Sequence, residues 1–199
     1  MSKDLMLDVD QAGELKAAFR RGNWTNAEIK TLSKGGLLRK VRMVILGLAE
    51  ITPIEYCIDF DSALVIPAGL SVALDSSQVS SRVRGKRNVS YANVRLYQDA
   101  GQERNAGIVG SDLKLELNSQ EVYGAQLLDF YLEHTDMIPE EWKTVGWIHF
   151  WGTIYCDSDR ILCVRYLRWN GTRWISSYSR LDSVWYDCYP AAVSASPQV

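Results

Sequence analysis

The sequence predicts an α+β protein with a helical N-terminal part and a β-rich C-terminal part. Three observations carry this. Helix caps and apolar residues at helical spacing dominate residues 1–52 and return near residues 120–134. Runs of β-branched and aromatic residues broken by turn signals fill residues 145–186. Three tryptophans recur at Trp169, Trp174 and Trp185, large anchors spaced among small and polar residues.

In chain order, Asp10 is placed to cap a helix running to Arg21, with Leu15, Ala18 and Phe19 on one side. Gly22-Asn23 breaks it. Thr25 to Glu28 reads as a capping box opening a second short helix, with Ile29 and Leu32 inside. Gly35-Gly36 ends that helix, and Leu37–Leu48 reads as a third, strongly apolar one. Strands are expected at Ile54–Phe60, Ala63–Ile66, Val94–Tyr97 and the alternating Leu113–Leu117. The polar, basic, serine-rich residues 75–90 read as a mobile surface connection. A helix is expected over Gln120–His134, with Val122, Leu127, Leu128 and Tyr131 toward the core, and Pro139 suits a helix first turn. Gly146–Cys156 and Ile161–Trp169 flank Asp157-Ser158-Asp159-Arg160, a hairpin with a four-residue loop. Short strands follow near Arg173–Tyr178 and Val184–Tyr186, and Ser194–Val199 reads as a frayed tail. The domains expected are a helical part over 1–52 and an α+β region over 53–199, with the two continuous as one domain as the alternative.

Composition excludes several classes. The 199 residues carry a formal charge of −2, so the chain as a whole is not built to coat nucleic acid or an acidic membrane. No apolar run reaches the roughly 18 residues of a membrane span, and the charged start MSKDLMLDVDQ does not read as a signal peptide. The expected location is cytoplasmic. Cys57, Cys156, Cys163 and Cys188 form no C-x-x-C pair, and with only His134 and His149 beside them neither a metal nor a cofactor is expected. Glu140 and Glu141 are adjacent and so diverge, which does not suit an acid–base pair. His149 lies seven residues before Cys156 in a predicted strand, which puts the two on opposite faces. No nucleophile elbow, P-loop or dinucleotide fingerprint occurs, and nothing nominates an enzyme. The basic residues Lys30, Lys34, Arg39, Lys40 and Arg42 permit a second reading, an intracellular nucleic-acid-associated protein built on a helix-turn-helix.

The sharpest signal is an absence. Residues 1–143 hold 28 Lys, Glu, Gln or Met; at that rate the 46 residues from Thr144 to Tyr189 would hold about nine, and they hold none. Strands disfavour Lys and Glu too mildly to empty so long a segment. The genetic code supplies a cause. Replacing the two adenines of an asparagine codon by any base reaches Ser, Thr, Ile, Tyr, Cys, Phe, His, Arg, Leu, Pro, Asp, Gly, Ala and Val. It never reaches Lys, Glu, Gln, Met or Trp. The tryptophan codon has no adenine and would be left alone. A tryptophan-rich hairpin core with small polar turns is the purely structural reading of the same pattern.

The segment HFWGTIYCDSDRILCVRYLRWNGTRW…LDSVW…YPAAV, with NVRLY and IPEEWK upstream, resembles the C-terminal region of variable proteins of diversity-generating retroelements. In these systems a reverse transcriptase copies a template repeat with errors at adenines and writes the copy into the variable region. The resemblance covers roughly residues 93–193, and the chain lacks the Gly-Phe-Arg ending of better-known members. It implies a C-type-lectin-like fold with a variable ligand-binding surface over about 156–189. The ligand would be an unidentified protein or cell-surface structure on another cell, with this chain carried on a virus particle in one version. The implied ligand-binding residues are Cys163, Arg168, Asn170, Thr172, Ile175, Ser176, Ser177, Tyr178, Ser179, Arg180, Asp182, Ser183, Val184, Tyr186, Asp187, Cys188 and Tyr189, with Tyr178, Tyr186, Tyr189, Arg168 and Arg180 as the energetic centre. On this view Trp169, Trp174, Leu181, Trp185 and Pro190 are buried. The positions among them face outward, where substitution costs within about 0.5 kcal/mol.

Overall fold

The computed structural model describes residues 8–51, 55–104 and 106–195. The chain divides into two compact units, Met1–Thr52 and Pro53–Val199. The first holds α1 (Val9–Arg21), α2 (Asn26–Leu32) and α3 (Leu37–Ile45). Asp8, two residues before the expected Asp10, caps α1 by accepting from the Gln11 amide at 2.7 Å. Thr25 and Glu28 form the expected capping box on α2. The third helix stops at Ile45, and Gly47, with φ of 66°, turns the chain beyond it. No residue of these three helices is buried.

The second unit is mixed α/β with a β-rich C-terminal part. Its elements are β1 (Tyr56–Asp59), β2 (Leu70–Val72), β3 (Lys86–Val89), β4 (Val94–Tyr97), α4 (Ala100–Glu103), β5 (Ile108–Val109), α5 (Gly110–Glu116) and α6 (Ala125–Glu133). They continue with β6 (Ile148–Asp157), β7 (Leu162–Trp169), β8 (Trp174–Arg180), β9 (Val184–Trp185) and β10 (Ala191–Ser194). The main sheet runs β4-β10-β6-β7-β8, with β2 on the far end of β6. Two ribbons, β1 with β3 and β5 with β9, stand apart from it.

β6 reads as a nearly unbroken apolar run because both of its faces are covered. One core lies toward α6 and gathers Leu127, Leu128, Tyr131, Phe150, Leu167 and Trp174. The other holds Leu113, Leu117, Trp151, Ile154, Val164 and Trp185. Between His149 and Ile154 the pairing with β7 shifts register. Gly152 sits in this irregular stretch, where an added Cβ would meet the Gly124 nitrogen at 2.6 Å, so only glycine lets the α6 entrance approach.

Several sequence expectations change. Leu113–Leu117 is helix, not strand: Leu113 and Leu117, four apart, are buried while Leu115 is 66% exposed, a helical rather than an alternating pattern. Ala63–Ile66 forms no strand, and Val65 and Ile66 face solvent. The strand expected from Ile54 begins at Tyr56; Ile54 itself lies outside the described residues. The 75–90 connection is ordered by burial of Val79 and Val83, and it ends in β3. The helix expected from Gln120 starts at Ala125, because Val122 instead bridges Arg82 and Val193. The YPAAVS stretch supplies an inner strand, β10, which sequence periodicity missed; of the expected tail, residues 196–199 lie outside the described residues. The hairpin of β6 and β7 around Asp157–Arg160 stands as expected.

Candidate ligand-binding surface

The carboxyl-terminal third builds a surface on the edge of the sheet. β8 is the edge strand, and its register on β7 assigns each side chain to a face. Arg168 opposes Ile175, Tyr166 opposes Ser177 and Val164 opposes Ser179, all on the face away from α6. Trp169 opposes Trp174, Leu167 opposes Ser176 and Arg165 opposes Tyr178 on the α6 face. The alternation follows from the pleat, so the contiguous positions 175–180 divide between two faces.

The face away from α6 has an aromatic floor. Trp147 stacks on Tyr166 with centroids 4.8 Å apart and planes at 13°, and touches Tyr189 at 5.0 Å. The Arg168 guanidinium lies over the Trp147 ring at 5.5 Å. His149 is fully buried among Tyr166, Trp185 and Tyr189. Its Nε2 sits 3.1 Å from the Ser179 hydroxyl. Burial drives its pKa down to about 3, so it is a neutral imidazole at pH 7. A pocket of about 210 Å³ opens here, lined by Trp147, Ser179, Arg180, Ser183, Val184, Trp185 and Tyr189.

The loop after β8 is held by its main chain. Gly110 and Ser111 amides donate to the Ser183 and Leu181 carbonyls, both at 3.1 Å. β9 pairs with β5, Ile108 opposite Trp185. The Gln102 side-chain amide donates to the carbonyls of Tyr186 and Tyr189, each at 3.0 Å, and that of Gln98 donates to the Asp187 carbonyl. The Trp147 amide donates to the Cys188 carbonyl at 2.9 Å. None of these donors belongs to the loop. Two glycines make room: a Cβ on Gly110 would meet Trp185 Nε1 at 2.5 Å, and one on Gly146, whose φ is 104°, would meet the Cys188 carbonyl oxygen at 2.6 Å.

With its backbone held, the loop points its side chains outward. Asp182, Ser183, Val184, Tyr186, Asp187 and Cys188 are exposed, and Tyr189 is half-buried. The anchors expected inside lie there: Trp174, Leu181, Trp185 and Pro190 are buried. Trp169 is only partly covered, edge-on to Trp174 at 5.6 Å and capped by the Lys143 ammonium at 4.5 Å.

Several predicted site residues do not join this surface. Cys163 is fully buried beside Leu70, Ala125 and Tyr155, and burial pushes its thiol up to about 12. It is a core residue, removed from any ligand. Ser176 and Tyr178 face the α6 side, away from Tyr186 and Tyr189, so the expected energetic centre divides. Arg180 does line the pocket, but its guanidinium is tied to Asp157 at 2.7 Å and Asp159 at 2.6 Å, an ion-pair cluster that pins the end of β8 to the β6–β7 turn. Backbone hydrogen bonds, first that from Ile161, hold the Asp157 carboxyl below the usual range, and Arg180 adds to this. Asn170 Oδ1 accepts from the Thr172 amide, the Thr172 hydroxyl and the Arg173 amide at 2.9–3.0 Å, which closes the β7–β8 turn. These residues shape the rim. The side chains that converge on one outer surface are Arg168, Ile175, Ser177, Ser179, Ser183, Val184, Tyr186 and Tyr189.

Trp147, His149, Tyr166, Gln98 and Gln102 were not named as functional by the sequence. Gln102 carries no sequence signal, since its task is set by a loop more than 80 residues away. The opposite-face reading of His149 and Cys156 also changes: the register shift places both on one face, opposite Tyr166 and Leu162. Their partners are still four residue steps apart along β7, about 13 Å, too far for a nucleophile–base pair. Among the described residues no three His, Cys, Asp or Glu are placed to hold a metal ion, and no helix is long and apolar enough to cross a membrane. Comparisons with protein families, with curated proteins and with solved structures return no match.

Proposed function

We propose that this chain is a ligand-binding variable protein whose surface is diversified by adenine-directed retroelement mutagenesis, on a C-type-lectin-like scaffold. Its ligand is a protein or cell-surface structure, met by Arg168, the outward residues of β8 and the 182–189 loop. One observation carries the reading: the loop that lacks every residue type unreachable from an asparagine codon, its tryptophan apart, is the loop whose backbone is held by donors from outside it. A surface meant to be rewritten cannot rest on its own side chains. Here Gln102, Gln98, Gly110 and Trp147 hold the main chain whatever occupies positions 182–188. The Trp147–Tyr166 floor supplies a rigid apolar base of the kind that binding loops built from Tyr, Ser and Asp exploit. No catalytic role is assigned; the surface binds by complementarity.

The test is the DNA beside the gene. The reading expects a reverse-transcriptase gene and a near-identical repeat of the segment encoding about residues 156–189, with differences confined to adenine positions of the repeat. Flanking DNA without such a repeat, or differences spread over all four bases, overturns it.

A further inference from the structure

The N-terminal unit poses a separate problem. The chain as a whole carries −2, but residues 1–52 hold nine Lys or Arg against six Asp or Glu, a formal +3. Between Glu28 and Glu50 there is no acid and there are five bases: Lys30, Lys34, Arg39, Lys40 and Arg42. α3 sorts these sharply. At the helical turn angle of about 100° per residue, Leu37, Leu38, Val41, Val44 and Ile45 share one arc, and Arg39, Lys40 and Arg42 occupy the rest. Among the described residues much of that arc stays open: Leu38 is 53% and Ile45 78% exposed, Leu37 and Val41 are 38% exposed, Val44 is half-buried, and Leu48 beyond the helix is 65% exposed. Trp24 and Leu32 line one hollow with Leu37, so an aromatic ring adjoins the arc.

We propose that α3 is an interfacial helix that lays this unit on an anionic phospholipid surface, with Leu38, Val41 and Ile45 in the acyl boundary and Arg39, Lys40 and Arg42 on lipid phosphates. Charge decides among the occupants. A second copy would bring an acid-free basic strip against its like. Nucleic acid would neutralise the bases and leave the aliphatic arc in water. A lipid surface satisfies both faces at once, because long basic side chains reach phosphates from beside an apolar face that sinks a few ångströms. The inference does not depend on the retroelement reading, which concerns the other unit.

The experiment is co-sedimentation of the full chain with phosphatidylcholine vesicles, with and without phosphatidylglycerol, at low and high salt. Partitioning at least about tenfold stronger onto the anionic vesicles, and weakened by salt, is expected. Val41→Asp removes apolar contact and the triple variant R39Q/K40Q/R42Q removes charge while keeping the arc; each should lose at least about tenfold of the binding. No binding to either vesicle, equal binding to neutral lipid, or undiminished binding by the triple variant would overturn the proposal. So would a stable oligomer that buries position 41, or DNA binding that survives Val41→Asp while vesicle binding is absent.

Discussion

Gln102 is where the account can be pressed hardest, because its side chain touches no ligand-facing atom. It is 1% exposed, and its amide donates to two carbonyls of the loop, Tyr186 and Tyr189, at 3.0 Å each. Its own oxygen accepts from the Asp99 amide at 3.0 Å. Gln102→Leu keeps the volume and leaves three backbone groups without this partner. An unsatisfied buried polar group costs about 1–3 kcal/mol, and partial solvent access to the loop places the total at about 2–4 kcal/mol. For a unit of this size that is a fall in melting temperature of roughly 5–15 °C. Gln102→Glu should be as damaging at neutral pH, since a carboxylate turns acceptors toward two carbonyls, and should recover in part as acid protonates it. Urea unfolding followed by tryptophan fluorescence measures both variants. A Gln102→Leu protein within about 0.5 kcal/mol of the parent, with the loop amides unchanged in hydrogen exchange, would refute the claim that main-chain anchoring from outside holds this loop.

Two further outcomes follow from the site. Burial holds the folded pKa of His149 at about 3 against an ordinary 6.5, so the unfolded chain binds the extra proton between those values. The stability tied to neutral His149 is therefore complete above pH 6.5 and falls as pH drops toward 3, by up to about 1.4 kcal/mol per unit. Between pH 7 and pH 5 the parent should lose about 2 kcal/mol more than a His149→Gln variant in urea titrations; equal losses would contradict the burial of that ring. Thiol labelling of the native protein followed by mass spectrometry should mark exposed Cys57 and Cys188 and spare Cys163 until the chain unfolds. Native labelling of Cys163 would return it to the surface.

Much of this molecule was legible from residue order because the signals were local. The capping box at Thr25, the Asp157–Arg160 hairpin turn and the burial of Trp174 and Trp185 each depend on a few neighbouring residues and on period. What failed depended on distant partners. Leu113–Leu117 alternates as written, yet it folds as helix because Leu113 and Leu117 together meet the Trp151–Trp185 core. AAVS is too short and small to announce a strand, but β4 and β6 stand ready on either side of it. Outward-facing positions in β8 could not be told from residue type, since Ser occurs on both faces; only the register with β7 divides Ser177 and Ser179 from Ser176 and Tyr178. Arg180 and Asn170 were named from the variable segment they lie in; their ion pair and turn hydrogen bonds depend on partners that residue type does not announce.

The most direct measurement is a display library in which Asp182, Ser183, Val184, Tyr186 and Asp187 are replaced by the residues reachable from an asparagine codon, scored for protease resistance beside a matching library at Trp174, Leu181 and Trp185. The account predicts that nearly all of the first library stays within about 0.5 kcal/mol of the parent. Truncating the buried anchors, Trp185 being 1% exposed, should cost about 3–5 kcal/mol each. Comparable losses in the two libraries would contradict it.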